Sequence, residues 1–292
     1  MITEQQLQNW AKPLSEIENT KCAATVASIK KVLRDKFGTS VDIFLQGSYK
    51  NSTNVKQDSD VDIVVCYKNA FFPETSSLSP QDKALHKAHY SDSDYTFAQF
   101  KNEVEQVLTS HYPGAVHRKN KCIQINKNSY RVHADVIPCF VHKRFSAATT
   151  VSAEGIELVS DDGKRIKSFP KQHYDNGVSK NTNTNQVYKA TVRMMKNCRN
   201  HLIDNNHIDD KAMPSFFLEC LVWNVPHSHF KNYTHKQIAN EVIGKAYADM
   251  ATLEQAHSYA EVSDLMWLFK GQSTRTPEQA KVFLEKVYTL IN

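Results

Sequence analysis

The stretch Gln46-Gly47-Ser48-Tyr49-Lys50, followed by Asp58-Ser59-Asp60-Val61-Asp62-Ile63-Val64-Val65, decides the reading of this chain. Asp60 and Asp62 stand two apart at the opening of a run of Val and Ile, residues that suit a pleated, half-buried strand. In a strand, positions i and i+2 share a face, so both carboxylates are expected to point the same way. Two carboxylates so placed repel each other unless cations lie between them, and magnesium held by carboxylates and substrate phosphates meets that need. Upstream, Gly47-Ser48 closes the short β-rich run Val41–Leu45. Glycine lets a backbone come close to a phosphate, and the serine adds a hydroxyl and an N–H. Asp58 is expected to orient the loop ahead of Asp60.

A third acid lies in Arg131-Val132-His133-Ala134-Asp135-Val136-Ile137-Pro138. A charge inside an otherwise apolar strand is costly without a partner or a metal. A neighbouring strand carrying Asp60 and Asp62 would supply that metal, and three carboxylates on two adjacent strands make a two-metal site for phosphoryl displacement. Taken singly, each piece has a bland account. D-x-D marks many solvated turns, Asp135 could be salt-bridged beside Arg131 or His133, and His133 could simply be packed rather than line an acceptor site. The order and the strand contexts together favour the two-metal reading.

Outward from this stretch, residues 14–37 space Leu14, Ile17, Ala24, Ile29, Val32, Leu33 and Phe37 as one amphipathic helix stopped by Gly38. Short β-rich runs follow at Val61–Tyr67, Ala115–Arg118, Cys122–Asn126 and Tyr130–Phe140, with a helix expected around Tyr95–His111. Asp161-Asp162-Gly163-Lys164 reads as a turn. After the polar Asn181–Asn185 the spacing predicts only helices: Gln186–Ile203, Pro214–Val225, His235–Ala251, Leu253–Phe269 and Pro277–Ile291. The expected division is therefore a mixed α/β half, 1–160, and a helical half, 161–292.

Composition sets outer bounds. The chain has 292 residues, 40% of them hydrophobic and 23% charged, enough for a substantial core. No run approaches the roughly 18 apolar residues of a membrane span. MITEQQLQNW lacks the basic-then-apolar order of a signal peptide, so the chain reads as cytoplasmic. A net charge of +5, with Lys and Arg spread along the chain, suits a polyphosphate pocket better than a long nucleic-acid face. The six cysteines sit mostly in apolar runs and read as reduced, buried thiols. His86 and His89 have no cysteine partners nearby, which argues against structural zinc.

The Gly-Ser pair, the twelve positions from Ser48 to Asp60, D-V-D-I-V-V and a distal aspartate resemble the polymerase-β-type nucleotidyltransferase signature. Within it the chain is most similar to the bacterial cGAS/DncV-like nucleotidyltransferases (CD-NTases) of antiphage defence. That similarity extends through Val192-Arg193-Met194-Met195-Lys196 and Pro214-Ser215-Phe216-Phe217-Leu218-Glu219-Cys220-Leu221. The resemblance implies an α+β fold: a polymerase-β-like core with a twisted mixed sheet, plus a C-terminal helical bundle, as two lobes around an active-site cleft braced by the N-terminal helix. It implies two Mg²⁺ ions, with Mn²⁺ as a substitute. Asp60 and Asp62 would hold both, and Asp135 would hold the catalytic one and help deprotonate a ribose hydroxyl.

Gly47 and Ser48 would cradle the donor triphosphate, Lys196 would reach its β- and γ-phosphates, and Ser215 would add a contact. The residues alone leave Lys196 open to a solvent-facing role and Ser215 to a helix start. Tyr49, Tyr174, Tyr188 and Phe217 are candidates to stack on a base or to fill the core. The implied partners are NTPs and regulatory or effector proteins encoded nearby. The protein is expected to be a monomer, without the zinc ribbon of the vertebrate DNA sensor and without a membrane. The implied product is a cyclic di- or trinucleotide. The rival activities are linear oligonucleotide synthesis, nucleotidylation of tRNA or protein, and silent nucleotide binding.

Overall fold

The computed structural model describes residues 1–55, 60–231, 234–271 and 275–292; Asp58 and Ser59 lie outside them. Along the chain run α1 (Glu4–Ala11), α2 (Glu16–Phe37), β1 (Val41–Gln46), α3 (Gly47–Asn51), β2 (Val61–Glu74), α4 (Pro80–His89), α5 (Phe97–His111), β3 (Val116–Arg118), β4 (Ile123–Ile125), β5 (Ala134–Phe145), β6 (Val151–Val159) and β7 (Arg165–Ser168). Helices α6 (Pro170–Asn183), α7 (Val187–Asp204), α8 (Ser215–Asn224), α9 (His235–Asp249), α10 (Leu253–Ala256) and α11 (Pro277–Ile291) complete it.

The chain forms two compact units. The sheet unit is Ser15–Tyr49 with Ser59–Pro170; the helical unit is Met1–Leu14, Lys50–Asp58 and Lys171–Asn292. This corrects the expected division at 160/161. The first fourteen residues and the segment from Lys50 belong with the helices. The helix expected over 14–37 is present as α2, Glu16–Phe37 with Gly38 after it, in the sheet unit, and α1 ahead of it lies in the helical unit.

In the sheet unit seven strands form one mixed sheet in the order β1-β2-β5-β4-β3, with β6 on the far half of β5 and β7 beyond it. The β2–β5 pair is parallel and the others are antiparallel. Parallel neighbours need a long crossover, which α4, α5 and the β3–β4 hairpin provide. A Ser15/Glu18 capping box starts α2, and a Thr96/Gln99 box starts α5. Both helices bury apolar stripes (Cys22, Ile29 and Leu33; Phe100, Val104 and Leu108) against Val61, Ile63, Val65 and Val136 of one sheet face. On the other face Val64, Cys66, Ile137, Cys139, Ile156 and Leu158 form a smaller cluster. The alternation along β2 and β5 thus sets Asp62 and Asp135 on the side away from α2 and α5.

The helical unit packs around α7, whose Tyr188, Val192, Met195, Cys198 and Leu202 meet Leu218 and Leu221 of α8, Val242 of α9 and Leu284 of α11. Lys180 Nζ donates to Trp223 O (2.5 Å) and Val225 O (2.7 Å), closing the C-terminus of α8 beneath the Trp223 and Phe230 rings. Arg193 on α7 donates from Nε to Ala11 O (2.7 Å) and from its guanidinium to Ser52 O (2.6 Å), so one side chain ties both stray segments into this unit.

Two helical expectations change. Over Leu253–Phe269 only the four residues of α10 are helical; Asp264 takes φ 58° and Ala260 bridges Trp267. The polar Ser263-Asp264 turn interrupts a pattern that looked periodic. Helix α6 escapes the periodicity reading because its sequence is polar and carries Gly177. Among the described residues no helix is long and apolar enough to cross a membrane.

Candidate active site

Asp62 sits in β2 directly opposite Asp135 of β5 in the parallel register. The same row continues on both sides, since Asp62 is opposite Gln46 of β1 and Asp135 is opposite Gln124 of β4. Four strands therefore set Gln46, Asp62, Asp135 and Gln124 side by side. Strand spacing of about 4.8 Å brings the two carboxylates close together. Gln124 Nε2 donates to Asp135 Oδ1 at 3.4 Å. Among the described residues Gln46 Oε1 is buried without a hydrogen-bond partner.

Gly47 follows directly, with φ +69°, as the first residue of α3 rather than the end of a strand. A Cβ built on it would lie 1.9 Å from Asp62 Oδ2. Only glycine lets the backbone lie against that carboxylate, and the left-handed φ independently asks for it. Ser48 occupies the first turn of α3. Cys122 completes the neighbourhood: burial first, then the Asp135 and Asp62 carboxylates, push its thiol up to about 12, so it stays protonated.

Asp60 stands at the head of β2, one residue ahead of it and exposed, and its charge adds to burial and Glu18 in raising the Cys22 thiol on α2. Among the described residues no three His, Cys, Asp or Glu side chains gather as a metal-ligand set. The structure thus brings two of the three acids together. Hard carboxylate oxygens side by side, with carboxamide oxygens in the same row and a glycine cradle against one of them, fit Mg²⁺ or Mn²⁺. His133 falls outside β5, and its Nδ1 accepts from Lys127 N at 3.3 Å.

In the helical unit Lys196 is 2% exposed. Its Nζ donates to Glu219 Oε2 (3.1 Å) and Thr53 Oγ1 (3.3 Å). His173 Nε2 meets the other Glu219 oxygen at 3.1 Å. Burial alone would raise the Glu219 carboxyl, but Lys196 and His173 outweigh it and hold the group well below the usual carboxylate range. Lys196 is therefore neither a solvent-facing lysine nor a free one. Ser215 is the first residue of α8, after Pro214 at a cap without a side-chain hydrogen bond.

Of the aromatic candidates, Tyr188 and Phe217 are core, and Tyr49 packs on the sheet unit's core with its hydroxyl on Asn19 O. Sequence reasoning passed over Phe216, which is 47% exposed beside Ser215, with the His173 ring 5.8 Å away. A large exposed aromatic next to a candidate phosphate contact is a signal only once burial is known. Gln46 and Gln124 were also missed, because their place beside the acids depends on register.

Comparison with known proteins adds to this geometry. A nucleotidyltransferase domain model matches residues 26–140, and a model described as the cGAS/DncV-like nucleotidyltransferase C-terminal helical domain matches residues 175–292. The chain is 47% identical over 290 residues to a cyclic dipurine nucleotide synthase of Elizabethkingia meningoseptica, covering 99% of this chain and 98% of that one. A solved structure of the Elizabethkingia meningoseptica CdnE cyclic dinucleotide synthase with GTP and Apcpp superposes with a TM-score of 0.86 at 44% identity, covering 100% of both chains. The Rhodothermus marinus CdnE c-UMP-AMP synthase with Apcpp and Upnpp superposes with a TM-score of 0.84 at 31% identity, covering 99% of this chain and 96% of that one.

Proposed function

This chain belongs to the cGAS/DncV-like nucleotidyltransferases, and from that membership we propose that it joins two nucleoside triphosphates into a cyclic dinucleotide. The observation that carries the proposal is the in-register pair Asp62–Asp135, held against Gly47 and flanked by Gln46 and Gln124. Purine NTPs are the proposed substrates, on the identity with the dipurine synthase. The proposed setting is the cytoplasm, with the product acting as a second messenger in antiphage (CBASS) defence.

Two Mg²⁺ ions, when bound, would offset phosphate charge and clamp the attacking and leaving oxygens. Asp60 and Asp62 would hold both ions, and Asp135 would hold the catalytic one and take the proton of the attacking ribose hydroxyl. That oxygen then bonds to the α-phosphorus as the bridge to the β-phosphate breaks, and pyrophosphate leaves. A second such attack, by a hydroxyl of the other nucleotide, closes the ring. Gly47 and Ser48 are the proposed contacts of the donor phosphates; Lys196 and Ser215 are the further phosphate contacts the family resemblance implies, Lys196 on exchange of its present bond to Glu219. Gln124 holds one oxygen of Asp135 so that the other faces the reaction.

The test is incubation with mixed NTPs and Mg²⁺, followed by phosphatase and mass spectrometry. A phosphatase-resistant cyclic dinucleotide is expected. Linear products alone would overturn the ring closure, and label appearing on protein or tRNA would point to a nucleotidylating toxin instead.

A further inference from the structure

Helix α7 carries three cations along one side, Lys189, Arg193 and Lys196, spaced four and three residues apart. All three are buried, each 8% exposed or less. Two of them are accounted for. Arg193 is spent on the carbonyls of Ala11 and Ser52, and Lys196 on Glu219 and Thr53. Lys189 is different: among the described residues its ammonium has no hydrogen bond and no ion pair, and meets only the face of Tyr174, 5.7 Å to the centroid. Lys50 lies over the same ring at 4.1 Å.

Two ammonium groups thus share one aromatic ring, a weaker partner for each than a carboxylate would be. Burial, together with repulsion from Arg193 and Lys50, lowers Lys189 from its ordinary value. Glu219 is the carboxylate that acts on it, and both of its oxygens are already engaged by Lys196, Thr53 and His173. Asp175, next to Tyr174 in sequence, is paired with Lys171 at 2.6 Å. Lys189 and Lys50 thus meet at one ring with Arg193 nearby, and the carboxylate that acts on Lys189 is already shared among three donors, so positive charge is left in excess here.

We propose that Lys189 and Lys50, both set against the Tyr174 ring, form an anion subsite that takes a phosphoryl group at the end of a polyphosphate chain. Tyr174 then serves as the ring the two ammonium groups meet in the free protein, rather than as a base platform. Phosphate is the chemistry that fits, since compact ammonium charges bind it as point donors and two of them match its charge. The naming of an NTP as its source rests on the nucleotidyltransferase reading; the subsite itself does not.

The test uses the full chain in EDTA, so that no turnover occurs, and follows thermal stability and binding heat with three probes: inorganic phosphate, pyrophosphate and a nucleoside triphosphate. Pyrophosphate should raise the Tm of the wild type by about 2 °C or more at saturation. Lys189→Met and Lys50→Met should each weaken its binding by about ten-fold, the worth of one charge-assisted contact. Lys189→Arg, which keeps the charge, should retain most of it. Without ligand, Lys189→Met should be at least as stable as the wild type, because it removes a buried charge from a place where positive charge is in excess. Stabilisation by inorganic phosphate alone would assign a single phosphoryl group; a requirement for pyrophosphate or the triphosphate would assign the chain end. A pyrophosphate effect that is absent, or equal in wild type and Lys189→Met, overturns the subsite while leaving the cyclic-product assay untouched.

Discussion

Replacing Gly47 by alanine separates the catalytic meaning of the Asp62 position from its structural one. The new Cβ would begin 1.9 Å from Asp62 Oδ2 and 2.9 Å from its Cγ, so the carboxylate must retreat by about 1.5 Å to reach ordinary contact. The side chain is short and can swing, so the fold survives the clash. What remains is the left-handed φ of +69°, which costs a residue with a Cβ about 1–2 kcal/mol. That should lower the Tm by a few degrees, roughly 2–4 °C per kcal/mol in a chain of this order of size. Catalysis should fall much further, because a misplacement of about 1 Å at a reacting centre costs on the order of 10²-fold. The assay is initial-rate product formation across a Mg²⁺ titration, with calorimetry on the same samples. The expected result is kcat down by about 10²-fold and a raised Mg²⁺ requirement, beside a modest loss of stability. An alanine variant with lowered Tm but unchanged kcat and Mg²⁺ dependence would refute the reasoning, since the Asp62 carboxylate would then not need its observed place.

The remaining expectations concern buried charge. Glu219→Gln leaves Lys196 buried without its counter-ion and should cost about 3–5 kcal/mol by denaturant unfolding, with part recovered in the double variant Lys196→Met/Glu219→Leu. Because the folded state holds Glu219 below its usual range, its contribution is present above the ordinary carboxylate value and fades as pH falls through the folded value. The acid side of the wild-type stability curve should therefore be steeper than that of Glu219→Gln. Glu261 has the opposite sign: burial pushes it up to about 7 against the pull of His173, so its contribution is intact at low pH and is lost as pH rises through 7. Glu261→Gln should accordingly match the wild type at pH 4, below the ordinary carboxylate value, and exceed it by about 1–3 kcal/mol at pH 8, read from urea midpoints.

The acids of the site could be read from residue order because each stood out against an apolar strand. A D-x-D at the head of Ile63-Val64-Val65, and an Asp ahead of Val136-Ile137, have few cheap explanations. The acids could be put on neighbouring strands, but neither the parallel register that sets Asp62 opposite Asp135 nor the row Gln46–Asp62–Asp135–Gln124 was legible, since pairing across strands is a tertiary fact. Lys196 shows the same limit: helical spacing gives its side of α7, but its partner Glu219 is 23 residues away on another helix. The division into units was hidden for a similar reason. Nothing local to Lys50–Val55 or to α1 announces that Arg193 will tie them to the helices.

The most direct test of the central claim is the rate of phosphodiester formation by Asp62→Asn and Asp135→Asn, measured in single turnover with saturating NTP and Mg²⁺ and paired with Tm in metal-free buffer. Both variants should form product at least about 10³-fold more slowly. Each should be as stable as the wild type or more so without metal, since two adjacent carboxylates repel and removing one relieves them. Either variant retaining a tenth or more of the wild-type rate, with its fold intact, would contradict the account.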